Sequence, residues 1–486
     1  MYMIFKAIPY ATPPVGALRF RRTLPIDYTQ HRVINGTQFA SKCPQVPTIL
    51  NPNEDCLYLN IWTPTLSTSA NLPVMLYIHG GFLTYLSSND YESPQLAAHD
   101  VIVVTINYRL GVFGFLCTDR QDVSGNVGLW DQVLAMEWVK KYIHIFGGNP
   151  NDLTVFGQSG GSESISAHIL SNVSNGYFSK AILESASCLS NVQMRSRSYA
   201  TRVAHRFASF MNCDPTHDYI QCLQNKSVAE LIIGQSAGIL WNVNTPDAAP
   251  QALTAFFPFY LCFGNEIIPK NPNQLLQTGN FRQDLRVLLG HQTIEGAFLG
   301  MVIDIVYALF GRYNPSVPFV YVERQQVFNN IQNILTNKTF NSIAAQEYTQ
   351  TFAPVYNARD TSRLRGAGMH AIGDYGLTCG VVLFGYYLAK YSNFNVTVHQ
   401  YYLSYANSQS PCYGSVWCNG PTHWDEIPLV FGFPYFQSGY NSDDRYLSAI
   451  MMDIWTTFAK TGTVPTINNN QWSPYTPLMV GDIQVD

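Results

Sequence analysis

LTVFGQSGGSESISAHIL, Leu153 to Leu170, is the stretch on which the fold turns. Leu153–Phe156 reads as a short apolar strand and Gly160–Leu170 as a helix, and between them Gly157-Gln158-Ser159-Gly160-Gly161 forms the pattern G-x-S-x-G. Glycines flank a serine in such a turn because a tight strand-to-helix reversal strains the backbone and brings neighbouring chains close, where a Cβ would clash. By itself the pentapeptide also fits an ordinary glycine turn. A phosphate loop is excluded, because G-x-x-x-x-G-K-[ST] and its lysine are absent.

Working outward, Pro73–His79 (PVMLYIH) and Val101–Tyr108 (VIVVTINY) are nearly continuous apolar runs, as expected of strands covered on both faces. Gly128–Phe146 carries Leu129, Val133, Met136 and Ile143 at helical spacing and reads as a crossover helix, broken by GGNPND at Gly147–Asp152. Further strands are predicted at Lys180–Leu183, Leu285–Leu289 and Val396–Leu403. A late helix is marked by Leu447, Ile450, Met451, Ile454 and Phe458 and stops near Gly462. From about Phe298 to Gly373 helical pieces such as Glu323–Leu335 replace strands, and an insertion of this kind roofs a ligand pocket. The pattern predicts an α/β chain with a central, mostly parallel (mixed) sheet flanked by helices. No repeat, linker or break in composition divides it, so residues 1–486 are read as one domain.

Beyond the serine, His79-Gly80-Gly81-Phe82 ends the Pro73 strand, where a glycine-rich loop offers backbone N–H groups to a developing oxyanion, joined by the N–H of Gly160. A serine nucleophile needs a base, and the base needs an acid to fix its tautomer. Among 11 histidines, His423 in Gly420-Pro-Thr-His-Trp-Asp-Glu-Ile lies in a loop beyond a late strand, and Glu295 in Gly290-His-Gln-Thr-Ile-Glu-Gly lies just past the Leu285 strand. Catalytic groups collect on such loops, and the order nucleophile, acid, histidine suits this architecture. No H-E-x-x-H or paired C-x-x-C is present, so neither metal nor cofactor is expected.

Composition narrows the partners. The chain is 47% hydrophobic and 12% charged with a net charge of -4, so it can bury a large core and has no basic run to hold nucleic acid. The longest apolar stretch, Leu299–Gly311, is interrupted by Asp304 and falls short of the roughly 20 residues a spanning helix needs, so no transmembrane segment is expected. The opening MYMIFKAIPYA has no signal-peptide pattern. Sequons at Asn35, Asn172, Asn225, Asn337 and Asn395 are candidate glycosylation sites. With the locally spaced cysteines they predict a secreted or lumenal protein whose true N-terminus precedes the first residue given.

These motifs resemble those of the type-B carboxylesterase and cholinesterase family over nearly the whole chain. The matching segments are Ala7-IPYATPPVGALRF, Asn53-EDCLYLNIWTP, Asn107-YRLGVFGFL, Gly125-NVGLWDQVLAMEWV, Phe146-GGNPNDLTVFGQSGG, Gly290-HQTIEG and Gly420-PTHWDEIPLVFG. The resemblance implies an α/β-hydrolase fold with a helical insertion over the active site. It further implies a triad of Ser159, Glu295 and His423, an oxyanion hole from Gly81, Phe82 and Gly160, and disulfides Cys43–Cys56 and Cys213–Cys222. The implied activity is hydrolysis of a small neutral carboxylic ester through an acyl-enzyme. The alternative is a catalytically weak or inactive binding ectodomain, since some relatives keep the fold and lose the triad.

Three departures stand out. Phe82 occupies the third place of the family's glycine run. The Cys43–Cys56 loop is short and lacks the Trp that faces choline in cholinesterases, which disfavours acetylcholine as substrate. Both ends look truncated relative to the family, leaving Cys379 without its usual C-terminal partner. Cys412 and Cys418 read equally as a local disulfide or two buried thiols.

Overall fold

Eight strands build one sheet in the computed structural model, which describes residues 2–30, 33–190, 194–242, 257–298, 361–393, 395–414, 418, 420–467 and 469–477. They are β1 (Met3–Pro9), β2 (Tyr58–Thr63), β3 (Leu72–Ile78), β4 (Ile102–Ile106), β5 (Gly148–Gln158), β6 (Lys180–Glu184), β7 (Arg286–Gln292) and β8 (Thr397–Leu403). Their spatial order is β1-β2-β4-β3-β5-β6-β7-β8. β2 runs antiparallel to β1 and β4, and every other neighbouring pair is parallel. β1 and β2, which the reading above missed, thus form the antiparallel edge of the mixed sheet.

The period-two geometry of a strand sorts the core onto two faces. On β3, Val74, Leu76 and Ile78 enter one cluster and Met75 and Tyr77 the other, and β6 divides Ala181 and Leu183 from Ile182 in the same way. Covering the first face are helix α1 (Val127–Tyr142), helix α2 (Gly160–Ile169) and helix α3 (Cys379–Tyr391). Helix α4 (Ser442–Thr461) covers the second with Met451, Ile454 and Phe458, and is closed by an Asn441–Asp444 capping box and left-handed Gly462.

Among the described residues the expected strands and helices are found, with shifted ends. GGNPND does not break the chain outside the sheet. Left-handed Gly147 ends the preceding turn, and β5 starts at Gly148 with a register shift opposite Leu72–Val74, which accommodates Pro150. The helix read at residues 323–335 lies outside the described residues, as does Asn337, whereas Thr361–Gly373 is helical. Asn35, Asn172, Asn225 and Asn395 are all exposed. Among the described residues one stretch, Gly368–Tyr391, is long and apolar enough to cross a membrane by length and composition. In this fold Val381, Phe384 and Leu388 of that stretch are fully buried in the core, and a Cβ on Gly385 would touch Leu289 of β7 and Gln400 of β8. It reads as a core helix laid on the sheet.

Disulfides join Cys43 to Cys56 and Cys213 to Cys222. Cys412 is bonded to Cys418, which resolves that ambiguity. Cys117–Cys262 was not anticipated: its partners are 145 residues apart, so no local spacing announces them. Cys188 is a buried free thiol and Cys379 an exposed one.

A buried ion pair ties the segment after β4 to α1. Asp131 of α1 accepts from Arg109 Nε at 2.8 Å, from its Nη2 at 2.7 Å and from its backbone N–H at 3.1 Å. Two residues on, Gly111 N–H donates to Leu83 C=O at 2.7 Å, anchoring the loop after β3. Removing one partner strands the other charge in a dry site. Asp131→Ala is therefore expected to lower the free energy of urea unfolding by about 3–5 kcal/mol; a loss under about 1 kcal/mol would show that the pair does not hold this corner.

Candidate active site

Ser159 stands at the turn between β5 and α2 with φ 56° and ψ -123°, a left-handed backbone that a side-chain-bearing residue adopts only under constraint. The constraint is visible on both sides. A Cβ on Gly161 would overlap the Ile78 carbonyl oxygen, and one on Gly157 would lie 2.5 Å from the same atom. The turn is therefore wedged against the end of β3, and only glycine fits at either position. Ser159 N–H donates to Glu184 C=O at 2.8 Å, pinning the turn to the end of β6.

The loop after β3 wraps the same point. A Cβ on Gly80 would lie 3.1 Å from Ser159 Cβ and 2.6 Å from Gln158 O. Gly81, Phe82 and Leu83 all have positive φ, at 93°, 53° and 54°. Among the described residues no backbone carbonyl accepts from the N–H of Gly81, Phe82 or Gly160. The Phe82 ring is buried and stacks on Phe257, with centroids 4.5 Å apart and planes 5° from parallel. Phe257 carries no local sequence signal and was missed.

Glu295 and His423 reach this point from the next two strand ends. An isolated parallel bridge joins Ile294 to Thr422, and Ile294 N–H donates to Pro421 C=O at 3.0 Å, so the two loops are zipped side by side. The histidine loop is folded around Asp425, which accepts from Thr422 N–H at 2.7 Å and Ser410 Oγ at 2.6 Å. Burial pushes the Asp425 carboxyl up to about 6 despite those bonds. Cys412–Cys418 braces the same loop.

His423 Nδ1 lies 2.7 Å from Glu295 Oε2, and Gln292 N–H donates to Glu295 Oε1 at 2.8 Å. Both side chains are buried. With its Nδ1–H committed to the carboxylate, the imidazole presents Nε2 as an acceptor. The Gln158 amide Nε2 lies 3.1 Å from that nitrogen, so the histidine abuts the residue preceding Ser159. Three other buried histidines lie elsewhere: His79 stacks on Tyr108 and is pushed down to about 4 by burial, His168 bonds Ser174 and Gln132, and His399 of β8 meets Trp472 edge to face.

Behind this group lie fully buried Glu184 and Glu426. Burial pushes both carboxyls up, helped at Glu184 by the charge of Glu426 and at Glu426, which rises to about 7, by the charge of Glu295. Among the described residues no group of three or more His, Cys, Asp or Glu side chains is placed to hold a metal ion. The arrangement sets a strained serine near loop backbone N–H groups and a carboxylate-held imidazole, the set of groups that acyl transfer uses, although His423 Nε2 meets the Gln158 amide and, among the described residues, no hydrogen bond joins it to Ser159 Oγ.

A family model described as the carboxylesterase family matches residues 1–482. The chain is similar to an acetylcholinesterase of Bungarus fasciatus, 32% identical over 509 residues that cover 99% of this chain and 79% of that protein. It is likewise similar to acetylcholinesterase-1 of Trittame loki, 32% identical over 97% of this chain and 84% of that protein. An acetylcholinesterase of Danio rerio is 30% identical over 96% and 77%.

Gly161→Ala is expected to lower the unfolding free energy by about 3 kcal/mol or more, because the new methyl meets backbone that cannot move without shifting β3. Wild-type stability in this variant, read by urea unfolding, would show that the turn is not wedged as described.

Proposed function

Because the chain belongs to the carboxylesterase family, we propose that it is a serine ester hydrolase with Ser159 as nucleophile, His423 as base and Glu295 as the acid that orients it. Ser159 Oγ attacks the ester carbonyl and His423 Nε2 takes its proton. The tetrahedral oxyanion is held by the N–H groups of Gly81, Phe82 and Gly160, each such donor contributing about 2.7–4 kcal/mol. His423 then protonates the leaving alcohol, and water admitted to the site hydrolyses the acyl-enzyme by the same steps. Glu295 keeps the imidazole in the required tautomer and steadies its charged form. The observation that carries this reading is the 2.7 Å Glu295–His423 contact beside a serine in left-handed backbone.

The substrates we infer are neutral carboxylic esters. The disulfide-closed loop from Cys43 to Cys56 contains no tryptophan, so it brings no indole face to a quaternary ammonium. Cholinesterase activity is the second reading, favoured by the names of the similar proteins. A catalytically silent binding domain is the third, and an intact set of Ser159, Glu295 and His423 speaks against it. Secretion and glycans on the exposed sequons fit the disulfides and belong to the same proposal.

Kinetics on aryl esters of increasing acyl length separate these readings. We expect turnover that falls on the order of 10⁶-fold in Ser159→Ala, and no preference for choline esters over their neutral isosteres. Turnover unaffected by Ser159→Ala would overturn the assignment, and a clear choline preference would select the second reading.

The Phe82–Phe257 stack makes a further expectation. Its phenyl ring hangs from an oxyanion donor and narrows the space beside the carbonyl carbon. Phe82→Gly should raise kcat/KM for the longest acyl chains relative to acetyl by roughly 10-fold or more; an unchanged ratio would place the ring outside the substrate's path.

A further inference from the structure

Cys117 and Cys262 form a disulfide that the mechanism above does not use. Both residues are buried, and Asn126 clamps the Cys262 backbone. Its side-chain amide donates to Cys262 C=O at 2.7 Å, and its side-chain carbonyl accepts from Cys262 N–H at 3.0 Å. Gly125 passes directly over the bond: a Cβ there would lie 2.7 Å from Cys117 Sγ and 2.8 Å from Cys262 Sγ. Sealed in this way from solvent thiols, the bond is a fixed link rather than an exchange site.

The link closes a circuit around Phe82. On one side, Cys117 follows the short helix Gly111–Phe115, whose first N–H donates to Leu83 C=O at 2.7 Å, next to Phe82 in the loop after β3. On the other, Cys262 stands five residues after Phe257, whose ring stacks on Phe82 with centroids 4.5 Å apart. Residues 257–262 are held along their length. Phe259 is buried against Phe207 at 4.9 Å, Arg195 N–H donates to Leu261 C=O at 3.0 Å, and Cys262–Phe263 pairs in parallel with Arg195–Ser196. The path runs from ring to ring, along 257–262, across the disulfide, back through 117–111, and over one hydrogen bond to Leu83. Widening the space between the rings means moving one side of this circuit. Phe82 and Leu83 already sit in left-handed backbone, so the loop has few ways to give, and the disulfide takes the same freedom from the far side.

We propose that the Cys117–Cys262 disulfide determines acyl selectivity: by holding Phe257 against Phe82 it fixes the width of the acyl side of the site and selects short-chain esters. Cys117 and Cys262 are positioning residues that act through the two rings. The inference rests on the serine-esterase reading of this site. Without the bond, residues 257–262 can recede from Phe82. Esters of long acids then gain, while acetyl esters, which need least of that space, do not.

The test is the ratio of kcat/KM for octanoyl and acetyl aryl esters in wild type and in the double variant Cys117→Ala with Cys262→Ala, alongside hydrogen exchange read by mass spectrometry. The ratio is expected to rise roughly 5-fold in the double variant. In a Phe257→Ala background, removing the disulfide should change it no further, because the ring it positions is gone. Removing Cys213–Cys222, which lies outside the circuit, should leave the ratio at its wild-type value. Peptides spanning residues 82–86 and 257–262 should exchange faster together when Cys117–Cys262 is lost. Should the double variant fail to fold, Asn126→Asp gives up the bond to Cys262 C=O and should shift the ratio in the same direction. An unchanged ratio in a folded variant would overturn the proposal, as would an equal change on losing Cys213–Cys222, a full effect without Phe257, or faster exchange confined to 257–262. Coupled exchange in a protein whose turnover does not depend on Ser159 would instead sink the esterase reading and leave the circuit standing.

Discussion

The packing of the turn at Gly157–Gly161 against the Ile78 carbonyl is the constraint on which the rest of the site depends. Because neither glycine can carry a Cβ there, β5 must end where β3 ends, and Ser159 is forced into left-handed backbone that lifts it clear of the sheet. The parallel sheet then determines what else arrives. β3, β6, β7 and β8 finish on the same edge, so the loops they feed deliver Gly81 and Phe82, Ser185, Glu295 and His423 to one place. A residue 264 positions away in sequence becomes a neighbour of Ser159 by topology alone, through the Gln158–His423 contact whose partners are 265 apart.

Much of this was legible in the sequence, for physical reasons. Continuous apolar runs such as VIVVTINY can only be strands covered on both faces, and the structure makes 102–106 such a strand. Leu129, Val133, Met136 and Ile143 at helical spacing are all buried. What stayed hidden needed partners distant in the chain. The antiparallel edge strands β1 and β2 mix polar and apolar residues. Phe257, which faces Phe82, and Cys262, which bonds Cys117, sit in segments without periodicity. Ser185 and Glu184 looked like an ordinary strand end until the fold set them beside Glu426.

Charge near the Glu295–His423 pair is arranged by burial. Asp425 and Glu426 follow His423 by two and three residues, yet they do different work. Asp425 is spent on Thr422 N–H and Ser410, fixing the loop, whereas Glu426 points inward toward Glu184 and shares Ser185 with Gln292. Glu295, alone among these acids, bonds the imidazole, and its second oxygen is occupied by a backbone N–H. His423 Nε2 is thereby turned toward the serine turn, where it meets the neutral Gln158 amide at 3.1 Å rather than another acid.

The central claim is that Ser159 is the nucleophile of a carboxylate-held imidazole. Peptide mapping by mass spectrometry after treatment of the folded protein with a fluorophosphonate tests it most directly. The account predicts one adduct, on the peptide carrying Gly157–Gly161, at Ser159, and none in His423→Ala under the same exposure. An unmodified protein at saturating probe, or an adduct on a different residue, would contradict it.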